Sequence, residues 1–260
     1  MLKRRRALVT GATSGIGRGI AEALADAGAR VMINGFGDAG EIGALCADLS
    51  RRSGAAALHH GADMARPGDI ADMLALAEAE MGGVDILVNN AGIQHVAPLE
   101  SFPPERWDAV IAVNLSAAFH TISGLIGAMK ERGWGRIVNI ASAHSKVASP
   151  HKAAYVAAKH GLVGLTRTAA LESAAAGVTV NAVSPGFVLT PLVEAQIPDL
   201  ARTRGIGEDA VVRDVILAGQ PSRRFVEIGE VAGTVLFLCS DAGAGITGAN
   251  LSVDGGWTAQ

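Results

Sequence analysis

The chain's one tyrosine, Tyr155, stands four residues before Lys159 in a stretch, 154–176, whose apolar spacing predicts a long helix. Residues four apart share one helix face, so a phenol and an ammonium are brought side by side. A phenol ordinarily loses its proton near pH ~10, and a neighbouring positive charge favours the phenolate. Such a pair can take a proton from a hydroxyl near neutral pH. Ser142 follows shortly after the strand-like run Arg136-Ile137-Val138-Asn139-Ile140 and can hydrogen-bond an oxygen whose charge changes in the same step. A second chemical signal is Thr10-Gly11-Ala12-Thr13-Ser14-Gly15-Ile16-Gly17, placed between a short apolar run and a helical pattern. Gly11, Gly15 and Gly17, spaced G-x-x-x-G-x-G, let the backbone turn sharply and approach a pyrophosphate at a helix N-terminus. In that strand–turn–helix context the segment reads as a dinucleotide site. A bound oxidised nicotinamide would add a second positive charge beside the tyrosine.

The elements that must position these residues alternate along the chain. Strand-like runs at 7–10, 30–34, 56–60, 84–88, 136–140, 178–183 and 250–253 are separated by helical patterns at 16–27, 41–53, 67–81, 105–113, 116–132, 154–176 and 230–239. Apolar strands alternating with helices predict an α/β fold, a doubly wound and mostly parallel sheet of Rossmann type with helices on both faces. No Pro- or Ser-rich linker divides residues 1–260, so a single domain is expected. Residues 189–220 lack a clean period and hold Pro191, Pro198, Gly205 and Gly207, which predicts a mobile lid over the substrate.

Composition excludes several classes. With 49% hydrophobic and 18% charged residues the chain can bury a core, which disordered chains cannot. Twenty-two Lys and Arg against 25 Asp and Glu give a net charge of −3, with no drive toward nucleic acid or an anionic membrane. The uncharged stretch 173–193 is broken by Gly177, Pro185, Gly186 and Pro191 and cannot be one membrane-spanning helix. Lys3-Arg4-Arg5-Arg6 lacks an apolar core behind it and is expected to be a solvated arm rather than a leader. Cys46 and Cys239 have no partner at metal-ligand spacing, so no metal is expected, and a cytoplasmic location follows.

Taken together, these segments resemble the short-chain dehydrogenase/reductase family over almost the whole chain. The resemblance rests on residues 10–17, Asn89-Asn90-Ala91-Gly92, Asn114, Ser142, Tyr155-x-x-x-Lys159 and Pro185-Gly186 with Thr190, in the family's order and spacing. It implies a catalytic set of Asn114, Ser142, Tyr155 and Lys159, with Asn114 holding a water that links Lys159 to solvent. It implies that Gly11, Thr13, Ser14, Gly15, Ile16, Gly17 and Phe36 hold the cofactor. Asp63 would contact the adenine. Asn90, Ala91 and Gly92 would border the cofactor, and Pro185, Gly186, Val188 and Thr190 would border the nicotinamide. Members that use NADP often carry a basic residue in the glycine turn or after the second strand. Thr13-Ser14 and Asn34-Gly35-Phe36-Gly37-Asp38 offer none, and Asp38 would repel an extra phosphate, so NAD is expected. Arg18 is expected to be solvated.

Gln94, His144, Lys152 and Gln196 stand where a substrate of this family would lie, and their cation, possible second cation and amides suit a small carboxylate. The set resembles that of the bacterial D-3-hydroxybutyrate dehydrogenases within the family, as do Trp257 and its surroundings at the C-terminal end. Those enzymes commonly have Trp where this chain has Phe187, which implies an aromatic wall with somewhat more room, enough for a five-carbon acid. The resemblance also implies a homotetramer, with segments 116–132 and 154–176 packing between subunits. Two alternatives stand beside this: an NADPH-dependent 3-oxoacyl carrier-protein reductase, and a non-catalytic dinucleotide-binding regulator. The first calls for a basic cofactor-selecting residue and the second for loss of Ser142, Tyr155 or Lys159.

Overall fold

The computed structural model describes residues 2–194 and 197–259. Among them, seven strands form one sheet: β1 (Arg6–Val9), β2 (Arg30–Asn34), β3 (Leu58–His60), β4 (Ile86–Asn89), β5 (Gly135–Ile140), β6 (Val178–Pro185) and β7 (Asn250–Val253). All pairings are parallel, in the order β3-β2-β1-β4-β5-β6-β7. The helices are α1 (Gly15–Asp26), α2 (Ala39–Ser53), α3 (Pro67–Met81), α4 (Pro104–Ile111), α5 (Ala117–Glu131) and α6 (Ala153–Ser173), then the short α7 (Pro191–Glu194), α8 (Ile197–Arg204) and α9 (Glu208–Val211), and lastly α10 (Ile228–Cys239). The expected doubly wound architecture is the one observed.

Strand side chains alternate between faces, and both faces are covered. Ala7, Val9, Val31, Ile33, Ile86 and Val88 pack against α1, α2 and α10. Their neighbours Leu8, Met32, Leu87 and Ile137 point the other way, into α3, α5 and α6. Full burial of each such large side chain contributes about 1.5–3 kcal/mol. This explains why the strands read as continuous apolar runs rather than alternating ones. The chain leaves β1 toward β2 and β3, then returns to β4 on the other side of β1. The crevice for a ligand therefore opens above the carboxyl ends of β1 and β4.

Three details of the sequence reading change. The expected solvated arm is partly structural, because Arg6 begins β1 and its guanidinium bonds Asp85 at 2.6 and 2.8 Å, while Arg5 stacks on Trp134 at 3.5 Å. The run Pro104–Glu131, with a mean hydropathy of 1.7 in its most apolar window, is long and apolar enough to cross a membrane, whereas stretch 173–193 is not one helix and holds β6. In the fold α5 lays Ala117, Ile122, Leu125 and Met129 on the sheet. Residues 189–220 are less regular, as expected, but they form short helices around a small apolar cluster of their own, centred on Val211, Ile216 and Leu217.

A buried polar chain fastens the helices of the site to the sheet. The Thr121 hydroxyl donates to Asn89 Oδ1 at 2.7 Å, Asn89 Nδ2 donates to Asn139 Oδ1 at 2.9 Å, and Asn139 Nδ2 donates to Thr166 Oγ1 at 2.8 Å. With every member satisfied, the chain fixes α5 and α6 against β4 and β5.

Candidate active site

Tyr155 and Lys159 lie in the first turns of α6, with Lys159 Nζ 5.6 Å from the centre of the Tyr155 ring. Lys159 is buried and donates to the Ile140 carbonyl at 2.8 Å. Burial lowers its pKa from 10.5 to about 8. Burial raises the Tyr155 pKa, and the hydrogen bond with Ser142 opposes that rise. Within the chain by itself desolvation dominates at Tyr155; the expectation joined the ammonium to the charge of a bound oxidised nicotinamide. Asn114 sits in a π-helical turn, residues Ala112–Ser116, that joins α4 to α5. Such insertions re-aim one side chain at a functional site. Here Asn114 Nδ2 donates to the Ile93 and Val110 carbonyls at 2.8 and 3.0 Å. Its buried Oδ1 has no partner among the described residues, and a cavity of about 10 Å³ beside it is lined by both Asn114 and Lys159. That is room for about one water.

The glycine turn forms a cradle that only glycine permits. Gly11 and Gly15 have φ of +60° and +54°. A Cβ on Gly17 would lie 2.3 Å from the Gly11 carbonyl oxygen and 2.4 Å from Asn90 Nδ2. Ser14 stands at the N-cap of α1 without capping it, and the first turn has no acidic residue, so the positive end of the helix is uncompensated. The turn is tied to its neighbours by long-range bonds. Thr10 Oγ1 accepts the Asn90 and Ala91 N–H groups, both at 3.0 Å, and Asn90 Nδ2 donates to the Thr10 and Gly11 carbonyls at 3.0 and 2.8 Å. Asn34 Oδ1 accepts the Gly11 N–H at 3.3 Å. The residues present thus fit a dinucleotide pyrophosphate.

Where the adenosine end would lie, Thr13, Ser14, Phe36 and Gly37 line an open groove with Arg18, Glu41 and Asp48. Phe36 is 67% exposed there, and Thr13 Oγ1 donates to its carbonyl at 2.9 Å. Two expectations shift. Asp38 does not line this groove; its carboxylate caps α2, accepting the Gly40 and Glu41 N–H groups at 2.8 and 3.0 Å. Arg18, exposed as expected, also pairs with Glu22 at 2.8 Å. Asp63 shapes the turn after β3, accepting the Ala65 N–H at 2.9 Å.

Between the strand ends lies a cavity of about 180 Å³. Ile16, Asn90, Gly92, Asn114, Ser142, Tyr155, Lys159, Pro185, Gly186, Val188 and Thr190 line it, and so do Gln94, His144, Lys152, Phe187 and Trp257. The catalytic set and the expected substrate residues therefore share one space. Gln196 lies outside the described residues. Phe187 and Trp257 stack with centroids 5.2 Å apart and planes 11° apart, and Lys152 Nζ lies 5.7 Å above the Phe187 ring. His144 meets Tyr155 and Trp257 edge-on, at 5.9 and 5.2 Å. The expectation of a possible second cation is corrected at His144. Burial, with Lys152 and His160 nearby, lowers its pKa to about 4, so the imidazole is neutral at pH 7. Burial also lowers the Lys152 pKa.

Residues that no motif marked hold this wall in place. Buried Gln220 accepts the Phe187 N–H with its Oε1 and donates from Nε2 to the Arg224 carbonyl at 2.7 Å. Asp254 accepts the N–H groups of Gly256 and Thr258, both at 3.0 Å, and so forms the turn that carries Trp257. A lone Gln or Asp has no periodic signature, so only the folded contacts reveal these roles.

The sequence model of a family described as enoyl-(acyl carrier protein) reductase matches residues 11–258. A D-beta-hydroxybutyrate dehydrogenase of Rhizobium meliloti (strain 1021) is 57% identical over 98% of this chain and 99% of the relative. A protein of the same name from Cupriavidus necator is 52% identical over 100% of both chains. Among solved structures, a single-substitution variant of actinorhodin polyketide ketoreductase with NADPH superposes with a TM-score of 0.92, at 36% identity over 100% of both chains.

Proposed function

The chain belongs to the short-chain dehydrogenase/reductase family, and from that premise we propose that it oxidises D-3-hydroxybutyrate to acetoacetate, reversibly, with NAD. The observation that carries this is the shared cavity. Gln94, His144 and Lys152 line it together with Ser142, Tyr155, Phe187 and Trp257. A short acid with a hydroxyl at C3 matches both ends, its carboxylate toward Gln94, His144 and Lys152 and its hydroxyl toward Tyr155. The two relatives named for this substrate support the same choice.

A nicotinamide dinucleotide held in the glycine cradle would supply the hydride acceptor and a positive charge near Tyr155. Gly11, Gly15 and Gly17 would leave space for its pyrophosphate, and Pro185, Gly186, Val188 and Thr190 would border its reactive ring. Tyr155 takes the hydroxyl proton. Ser142 hydrogen-bonds the oxygen as it becomes a carbonyl. Lys159 supports the phenolate, and Asn114 Oδ1 holds a water that passes the proton onward. The choice of NAD is supported by the groove around Phe36, which Glu41 lines and where Arg18 is already paired with Glu22. Residues 189–220 close over the substrate and exclude water.

A homotetramer is part of this proposal. Phe119 on α5 is 51% exposed and Leu171 on α6 is 86% exposed, so both helices present apolar side chains outward. Size-exclusion chromatography with light scattering tests it. The function is tested by absorbance at 340 nm, with D- and L-3-hydroxybutyrate and 3-hydroxyvalerate, each with NAD and with NADP. Turnover of the D-acid with NAD is expected. Turnover only of acyl thioesters with NADPH would overturn the proposal.

A further inference from the structure

Phe187 and Trp257 are the two largest apolar side chains lining the cavity, and what stands behind Trp257 fixes where their stacked wall lies. Phe187 covers the face of the indole and His144 meets it edge-on. A further side of the indole rests on residues 217–222, at the end of the irregular segment. There a Cβ built on Gly219 would lie 3.0 Å from Trp257 Nε1, 3.1 Å from Cε2 and 3.4 Å from Cδ1. Carbon atoms pack best at about 3.5–4.0 Å, so a side chain at 219 would press on the ring. Gly219 itself does not line the cavity.

The backbone does not call for glycine at this position. Gly219 ends the 3₁₀ turn Leu217–Gly219 outside the left-handed region, whereas Gly255 and Gly256 have φ of +59° and +89°. An alanine at 219 therefore meets no backbone strain, and its effect falls on the indole. The turn that carries Trp257 cannot back away. The Ser222 N–H donates to the Gly255 carbonyl at 3.0 Å, Pro221 lies against Gly256, and the Asp254 carboxylate accepts the Gly256 and Thr258 N–H groups. With its backbone pinned, a displaced indole gives way toward Phe187 and His144, which both line the cavity. The carboxylate of a hydroxy acid faces Gln94, His144 and Lys152, and its hydroxyl faces Tyr155. Only the alkyl end is left to meet the aromatic wall.

We infer that Gly219 is a positioning residue for substrate length: lacking a Cβ, it lets the Trp257 indole lie back from the cavity, and the space gained admits a 3-hydroxy acid longer than four carbons. The inference rests on the proposed dehydrogenase function and deepens it, since it names a residue outside the cavity that sets how long an acid fits.

The test reads the wall and the substrate separately. Protein labelled with 5-fluorotryptophan carries three fluorine signals, from Trp107, Trp134 and Trp257, and the Trp257 signal is the one lost in Trp257→Leu. In Gly219→Ala that signal is expected to shift while the other two hold, which also shows the fold intact. The parent chain is expected to turn over both D-3-hydroxybutyrate and D-3-hydroxyvalerate with NAD. An apolar pocket discriminates one methylene by about tenfold or more. Gly219→Ala is therefore expected to lower kcat/KM for the five-carbon acid about tenfold relative to the four-carbon acid, with kcat for the latter within about threefold and KM for NAD within about twofold. In the Trp257→Leu background the same alanine should change that ratio less than about twofold. A Trp257 signal that stays in place in Gly219→Ala overturns the inference, and so does a parent chain that rejects the five-carbon acid. An equal loss for both acids, or the same change of ratio in the Trp257→Leu background, overturns it as well, because Gly219 would then act on the fold and not through the indole. If neither acid is oxidised, the 3-hydroxybutyrate assignment fails, and the fluorine signal by itself decides whether Gly219 positions the wall.

Discussion

Replacing Lys159 by methionine is expected to stabilise the chain at neutral pH while removing its activity. Lys159 is buried, and its pKa falls from 10.5 to about 8. In the unfolded chain the amine keeps its proton up to its ordinary pKa. Between that value and about 8 the unfolded state therefore binds more protons, and stability rises with pH across this window. Below the window the whole penalty is present. A gap of roughly 2.5 units at about 1.4 kcal/mol each amounts to roughly 3 kcal/mol at pH 7. Methionine has similar length and no charge, so it escapes that penalty. It also loses the 2.8 Å bond to the Ile140 carbonyl, which costs back about 1–2 kcal/mol. The net expectation is a gain of roughly 1–2 kcal/mol at pH 7. Urea denaturation of both proteins at pH 7, 8 and 9, at one fixed protein concentration, measures the difference and cancels groups that titrate in both. The advantage of the variant should shrink by about 1 kcal/mol between pH 7 and 9. A difference that does not change with pH, or a variant less stable at pH 7, would refute the claim that desolvation of this ammonium is a cost stored in the fold. Turnover should fall at least about a hundredfold in the same variant.

Tyr155→Phe should bind NAD as tightly as the parent by fluorescence titration yet lose about 10³-fold in kcat, because only the proton acceptor is gone. Lys152→Ala should raise KM for the hydroxy acid about tenfold or more and leave KM for NAD nearly unchanged in steady-state kinetics; equal loss of both would mean that Lys152 does not face the acid. Gly17→Ala should lower Tm and abolish detectable NAD binding by calorimetry, since its Cβ would sit 2.3 Å from the Gly11 carbonyl oxygen.

The sequence by itself determined whatever rests on local spacing. Apolar runs of strand length alternating with helical periods defined the doubly wound sheet. The four-residue interval placed Tyr155 beside Lys159, and the glycine spacing after the first strand defined the cradle. Each signal is contained within a few residues of chain, so it can be read without the fold. Tertiary structure alone decided how those residues are charged and held. Burial sets the sign at Tyr155, Lys159 and His144, and burial is a property of the packed molecule. Thr10 bonds Asn90 across 80 residues, Gln220 bonds Phe187 across 33, and Ser149 reaches the imidazole of His144 through a loop with no periodic pattern. A single polar side chain gives no sign in the sequence of which distant backbone it will meet. The sheet order brings those partners together, and the cost of leaving buried polar groups unpaired fixes them there.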